Sequence, residues 1–97
     1  MAQYECIAVY ILANRKNGTL YTGVTSDLVR RMDQHKSGAG SAFAAKYGCK
    51  TLVWFERFND INDAIHREKR IKEWKRQWKI NLIEESNPDW FDRTMDI

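Results

Sequence analysis

Hydrophobic and polar positions alternate along this chain in segments that suit strands and helices in turn. Ile7 to Ala13 (IAVYILA) is rich in β-branched and aromatic residues and predicts a strand. Asn14 to Gly18 (NRKNG) has turn chemistry and ends in an Asn-Gly pair that tolerates positive φ. Thr19 to Gly23 (TLYTG) predicts a second strand, antiparallel to the first. Thr25 or Ser26 can then cap a helix from about Asp27 to Lys36. The run Ser37 to Ser41 (SGAGS) breaks it, and a short helical piece follows around Ala42 to Tyr47. Thr51 to Arg57 (TLVWFER) predicts a third strand. Asn59 or Asp60 caps a helix from Ile61 to about Trp74, and another runs from about Arg76 to Glu84. Asn87-Pro88 ends it, because proline disfavours helix at the residue before it. The fold class is therefore α/β (α+β), with the main order β-β-α-β-α-α. Three strands cannot close a barrel, so a small antiparallel sheet must be covered by the helices.

Length and composition narrow this picture. Ninety-seven residues suit one domain spanning 1–97. With 43% hydrophobic and 30% charged residues the chain can bury a core and is unlike a disordered segment. The longest apolar run, Cys6 to Ala13, falls far short of the ~20 residues that span a bilayer. No basic stretch precedes it and no secretory cleavage pattern follows, so a cytoplasmic protein with no membrane partner is expected. Cys6 and Cys49 fit neither a C-x-x-C motif nor a zinc site and are expected to be reduced thiols.

Charge is uneven. Ala64 to Leu82 carries seven basic residues (Arg67, Lys69, Arg70, Lys72, Lys75, Arg76, Lys79) against Glu68 and Glu73. Ile83 to Ile97 carries five acidic ones against Arg93. The basic block can follow a phosphate backbone or simply form a solvated helix face.

One residue breaks the helical pattern. At about 100° per residue from Ile61, Ala64 falls near about 300°, Ile65 near about 40° and Glu68 near about 340°, inside the apolar stripe. A carboxylate facing the core needs an arginine, a set of hydroxyl donors or a metal ion as partner. In the earlier helix, Leu28 and Met32 define the buried side, and Arg31 and His35 share one of its flanks. Arg31 can reach an anion with its planar fork or pair with Asp27 on the surface. Tyr10 and Tyr21 sit on the paired strands, where tyrosine usually fills the core.

Taken together these residues form a known pattern. Ala8-Val9-Tyr10, followed by Tyr21-Thr22-Gly23, resembles the paired tripeptide of the GIY-YIG nuclease superfamily, with Ala8, Val9 and Thr22 departing from the named letters. Thr25 to His35 resembles the family's arginine helix, with Arg31 at the arginine position. Arg67 to Arg76 resembles the helix of its glutamate, which maps to Glu68. Asn87 matches the late asparagine, and Tyr47 is the candidate for a histidine or tyrosine that many members carry after the arginine helix. The likeness is to small stand-alone bacterial members. It implies an endonuclease that hydrolyses phosphodiester bonds, DNA before RNA, with one divalent ion, Mg²⁺ or Mn²⁺, held by Glu68. Tyr10 is the implied general base, Tyr21 orients the water or phosphate, Arg31 binds the phosphate, and His35 supports them or relays a proton. Lys69, Lys72, Lys75 and Lys79 are candidate backbone contacts; Asn87 is a substrate-side or supporting residue. The phenols, guanidinium and carboxylate are expected around one spot. Two other readings fit the same chain: a nucleic-acid-binding module without cleavage, and a protein-interaction domain anchored by some of the four tryptophans.

Overall fold

A computed structural model describes residues 6–97. Three strands, β1 (Ala8–Ala13), β2 (Leu20–Thr25) and β3 (Thr51–Arg57), form an antiparallel sheet in the order β2-β1-β3. Four helices accompany it: α1 (Leu28–Lys36), α2 (Ala42–Tyr47), α3 (Ile61–Lys72) and α4 (Arg76–Ser86), with a last 3-10 turn at Thr94–Asp96. The sheet and the flanking helices expected from the sequence are present.

The central strand β1 is buried along its whole length, so it feeds two half-cores. Ala8, Tyr10 and Leu12 face Leu28 and Met32 of α1 and Ala44 of α2. Val9, Ile11 and Ala13 face Ala64 and Ile71 of α3 and Ile83 of α4. The period-two alternation of a strand therefore sends every second residue toward a different pair of helices.

Local chemistry sets the boundaries. In the β1–β2 turn Asn17 takes the positive φ (59°) and the Asn14 side chain accepts a bond from the Thr19 amide. The cap of α1 is Asp27, not Thr25 or Ser26: its carboxylate accepts from the Arg30 amide. Thr25 instead exchanges hydrogen bonds with the backbone of Asp27 and extends β2 to its own position. Asp60 caps α3. That helix ends at Lys72 rather than near Trp74, because the amides of Glu73 and Trp74 bond back three residues, to Arg70 and Ile71, and tighten the last turn.

The β1–β3 ladder carries a bulge. Ile11 pairs with Trp54 and Leu12 with Leu52, which leaves Val53 out of register. The Val53 carbonyl accepts instead from Asn87 Nδ2 at 3.0 Å. The same amide group donates to the Phe91 carbonyl and accepts from the Phe91 amide. Asn87 is thus buried and fully engaged with backbone. Outside β3, Asp92 Oδ1 accepts from the Leu52 amide and the Arg93 amide donates to the Leu52 carbonyl, so the C-terminal segment covers that edge.

Candidate active site

The site begins with a close approach across the β1–β2 ladder. Tyr10 pairs with Gly23 in register, so both lie on the α1 face. The Tyr10 ring crosses Gly23 so tightly that a Cβ there would stand 2.5 Å from both Cζ and Oη. Glycine at 23 is what lets the phenol reach toward β2, an edge strand. There Tyr10 Oη lies 2.9 Å from Nε2 of His35, itself 2% exposed. The ring of Tyr21 completes an aromatic group, with centroids 5.5 Å from His35 and 6.2 Å from Tyr10. On the other side of the imidazole, Gly40 closes in: a Cβ at that position would be 2.6 Å from His35 Nδ1.

These surroundings set protonation. Burial, and then the neighbouring Tyr21, push the Tyr10 phenol well above the ordinary value, although Arg31 pulls the other way. Burial, with the charge of Arg31 adding to it, pushes His35 below its usual value. Near neutral pH the pair is a neutral phenol beside a neutral imidazole, able to pass a proton along one short hydrogen bond.

Arg31 projects from α1 and is half-buried next to this pair. It joins no ion pair among the described residues. The Asp27 carboxylate that could have neutralised it is occupied in capping the helix. Arg31 lines a small cleft with Thr25, Ser26, Asp27, Arg30 and Gln34.

Glu68 comes from the other layer. It lies in the buried stripe of α3 between Ala64 and Ile71, as the periodicity predicts. The preceding residue, Arg67, donates to Glu56 Oε1 at 3.0 Å, and Glu56 is the register partner of Val9. That contact ties this turn of α3 to the Val9 rung, next to the rung of Tyr10 and Gly23. Tyr10, Tyr21 and His35 gather with Arg31 beside them, and Glu68 is supplied by α3, whose Ala64 and Ile71 pack in the other half-core. Side chains of adjacent strand residues point to opposite faces, which is why helices from both layers contribute.

Lys72, one turn along α3, places Nζ 2.6 Å from Glu68 Oε2. Its side chain is 52% exposed against 10% for Glu68. The lysine can swing into solvent, and ion pairs of this i,i+4 kind on helices contribute only about 0.3–0.5 kcal/mol. No side-chain polar atom among the described residues is both sealed and unpartnered, so the other Glu68 oxygen meets solvent. No group of three or more His, Cys, Asp or Glu that could hold a metal occurs among the described residues. The donor set is one buried carboxylate that already attracts a cation. This fits an ion such as Mg²⁺, which keeps several waters and needs few protein ligands.

The model of the GIY-YIG catalytic domain matches residues 6–81 of this sequence. The chain belongs to the GIY-YIG family. Its similar proteins include a UPF0213 protein of Pseudomonas aeruginosa, 37% identical over 79 residues (81% of this chain, 75% of that one). Another, from Clostridium perfringens, is 40% identical over 75 residues (77% and 80%). The solution NMR structure of a UPF0213 protein from Bacillus halodurans superposes with a TM-score of 0.56 at 32% identity, covering 91% of this chain and 93% of that one. GIY-YIG is a nuclease family, and among the described residues no helix is long and apolar enough to cross a membrane.

Within the GIY-YIG frame the other expected residues fall as follows. Lys69 is exposed on α3. Tyr47 is exposed on α2, 4.8 Å from Phe43, which stacks on Tyr21 at 6.2 Å, so one ring stands between it and Tyr21. Asn87 spends its amide on the backbone of Val53 and Phe91, which is the supporting one of its two expected roles. Cys6 and Cys49 are buried free thiols. Trp54 and Trp90 are core residues, Trp74 is half-buried and Trp78 is exposed. Sequence reasoning overlooked Gly40 and Phe43. The first was hidden in a run whose only visible message was helix termination.

Proposed function

We propose that this protein is a metal-dependent endonuclease that hydrolyses phosphodiester bonds in nucleic acid, DNA in preference to RNA. The observation that carries the reading is the Tyr10–His35 hydrogen bond beside an Arg31 that joins no ion pair among the described residues. Arg31 binds a non-bridging phosphate oxygen and offsets the charge that grows there in the transition state. A water on the phosphate's far side gives a proton to Tyr10 Oη as Tyr10 passes its own to His35 Nε2, so the buried phenol need never stand as an anion. Tyr21, at the open side of the rings, orients that water. Glu68 would hold Mg²⁺ or Mn²⁺ once Lys72 moves aside, and the bound ion supplies charge stabilisation at the phosphate and the leaving oxygen.

The close pairing of Glu68 with Lys72 favours the second reading, a binding module without hydrolysis. One experiment separates the two. Labelled single-stranded, duplex and branched substrates are incubated with Mg²⁺, Mn²⁺ or a chelator, using wild type and Glu68→Gln. Cleavage that needs the metal and falls roughly 10²-fold or more in the variant is expected. Binding without cleavage under every condition establishes the module instead, and a wild-type rate in Glu68→Gln removes the carboxylate from the mechanism.

A further inference from the structure

A second basic site lies at the opposite end of β2 from the arginine helix. There the β1–β2 turn meets the first turn of α4. Arg76 Nη2 donates to the carbonyls of Asn17 (2.8 Å) and Gly18 (2.6 Å). These bonds fix the guanidinium against the turn and leave the donors on Nε and Nη1 uncommitted. Arg76 and Lys79 line a cleft of about 330 Å³ together with Gly18, Thr19 and Leu20. No acidic residue lines it. Lys79 is half-buried, and neither it nor Arg76 joins an ion pair among the described residues. Burial, with Lys72 and Arg76 close by, pushes the Lys79 ammonium below its usual value. Three cations therefore crowd one place, and their one carboxylate partner is the Glu68 held by Lys72. Such crowding is unfavourable in the free protein and is relieved by an anion.

Distance ties this cleft to the proposed chemistry. Leu20 begins β2 and Gly23 lies three residues on, about 10 Å at the rise of a strand. At about 3.4 Å of axial rise per nucleotide, that is roughly three steps of one nucleic-acid strand. We propose that Arg76, Lys79 and Lys72 form a cradle for a backbone phosphate about three nucleotides from the bond to be cut. Lys72 serves two anions in turn: it sits on Glu68 in the free protein and turns to the strand when a metal takes the carboxylate. The proposal rests on the hydrolase reading above and adds where the strand runs.

The test measures binding of a short labelled DNA duplex, in chelator, between about 0.05 and 0.2 M salt. Lys79→Gln is expected to weaken binding several-fold and to flatten the plot of log affinity against log salt by about 0.9, one phosphate contact. Lys79→Arg restores both, and Arg57→Gln, at the other end of the sheet where Arg57 pairs with Ala8, leaves the slope as in wild type. In parallel, inorganic phosphate is titrated into ¹⁵N-labelled protein: the Gly18 and Thr19 amides shift in wild type and stay still in Lys79→Gln. An unchanged slope in Lys79→Gln, an equal loss in Arg57→Gln, or unmoved Gly18 and Thr19 amides overturns the cradle. Intact cleavage with an unchanged slope removes the cradle and leaves the hydrolase reading standing. A flattened slope in a protein that never cuts supports the cradle and removes the hydrolase.

Discussion

Two glycines govern what the tyrosine and histidine of the site can do. Gly23 lets the Tyr10 ring cross β2, and Gly40 presses on the imidazole from behind. Since His35 is 2% exposed, it has no room to retreat from an added methyl. Gly40→Ala is therefore expected to cost about 1–3 kcal/mol through overpacking and to break the Tyr10–His35 bond. Cleavage should fall at least about tenfold, the size of one lost hydrogen bond of about 1.4 kcal/mol. A purely structural role would stop there. A positioning role also moves the His35 titration, followed by NMR, upward toward its ordinary value as the ring gains solvent; an unmoved midpoint would count against it. Gly23 was legible in the sequence because a tripeptide surrounds it. Gly40 was not, since its reason is contact with a side chain five residues earlier, and the SGAGS run registers only as a break between helices.

At the level of elements, the strands and helices were legible from periodicity, and the errors lie where side chains compete for backbone. Thr25 was a sound cap candidate by type, but Asp27 two residues on took the cap and left Thr25 to a turn. The buried place of Glu68 was legible because helical periodicity is local. Its relation to Tyr10 was not, because which layer a helix joins depends on the whole topology. Asn87 shows the same limit: a bulge in β3 has no sequence signal of its own, yet it is what gives this asparagine its partner. Asn87→Ala leaves two carbonyls and an amide without that partner and is expected to cost roughly 2–4 kcal/mol. Urea unfolding checks this. A loss below about 0.5 kcal/mol, the range of a neutral surface change, would show that the bulge holds without it.

For the molecule as a whole, the acidic tail does not neutralise the basic helices. Glu84 accepts from Trp90 Nε1, Asp96 pairs with Arg93, and Asp92 bridges Lys36, the Leu52 amide and Thr94. Asp92 ties the tail to α1 and β3, and none of the tail's acidic residues joins an ion pair with the basic residues of α3 or α4 among the described residues. Stability should then fall with acid in two stages. His35 has a lowered value in the folded state, so the unfolded chain binds more protons below about pH 6.5, and stability is lost as pH falls from there toward the folded value. Burial opposes the Asp92 carboxylate, but bonds from Lys36 and Thr94 outweigh it and hold its value low, so its contribution is present above about pH 3.8 and is lost below. Melting curves against pH should lose the upper stage in His35→Gln and the lower in Asp92→Asn; both stages persisting in both variants would refute the assignment. Lys72 has a different consequence for the molecule. Because an ammonium of its own chain always stands ready beside Glu68, the empty protein never carries a naked anion in its interior. It should keep its shape through purification in EDTA and through metal-poor surroundings, and the proposed ion would govern turnover rather than folding.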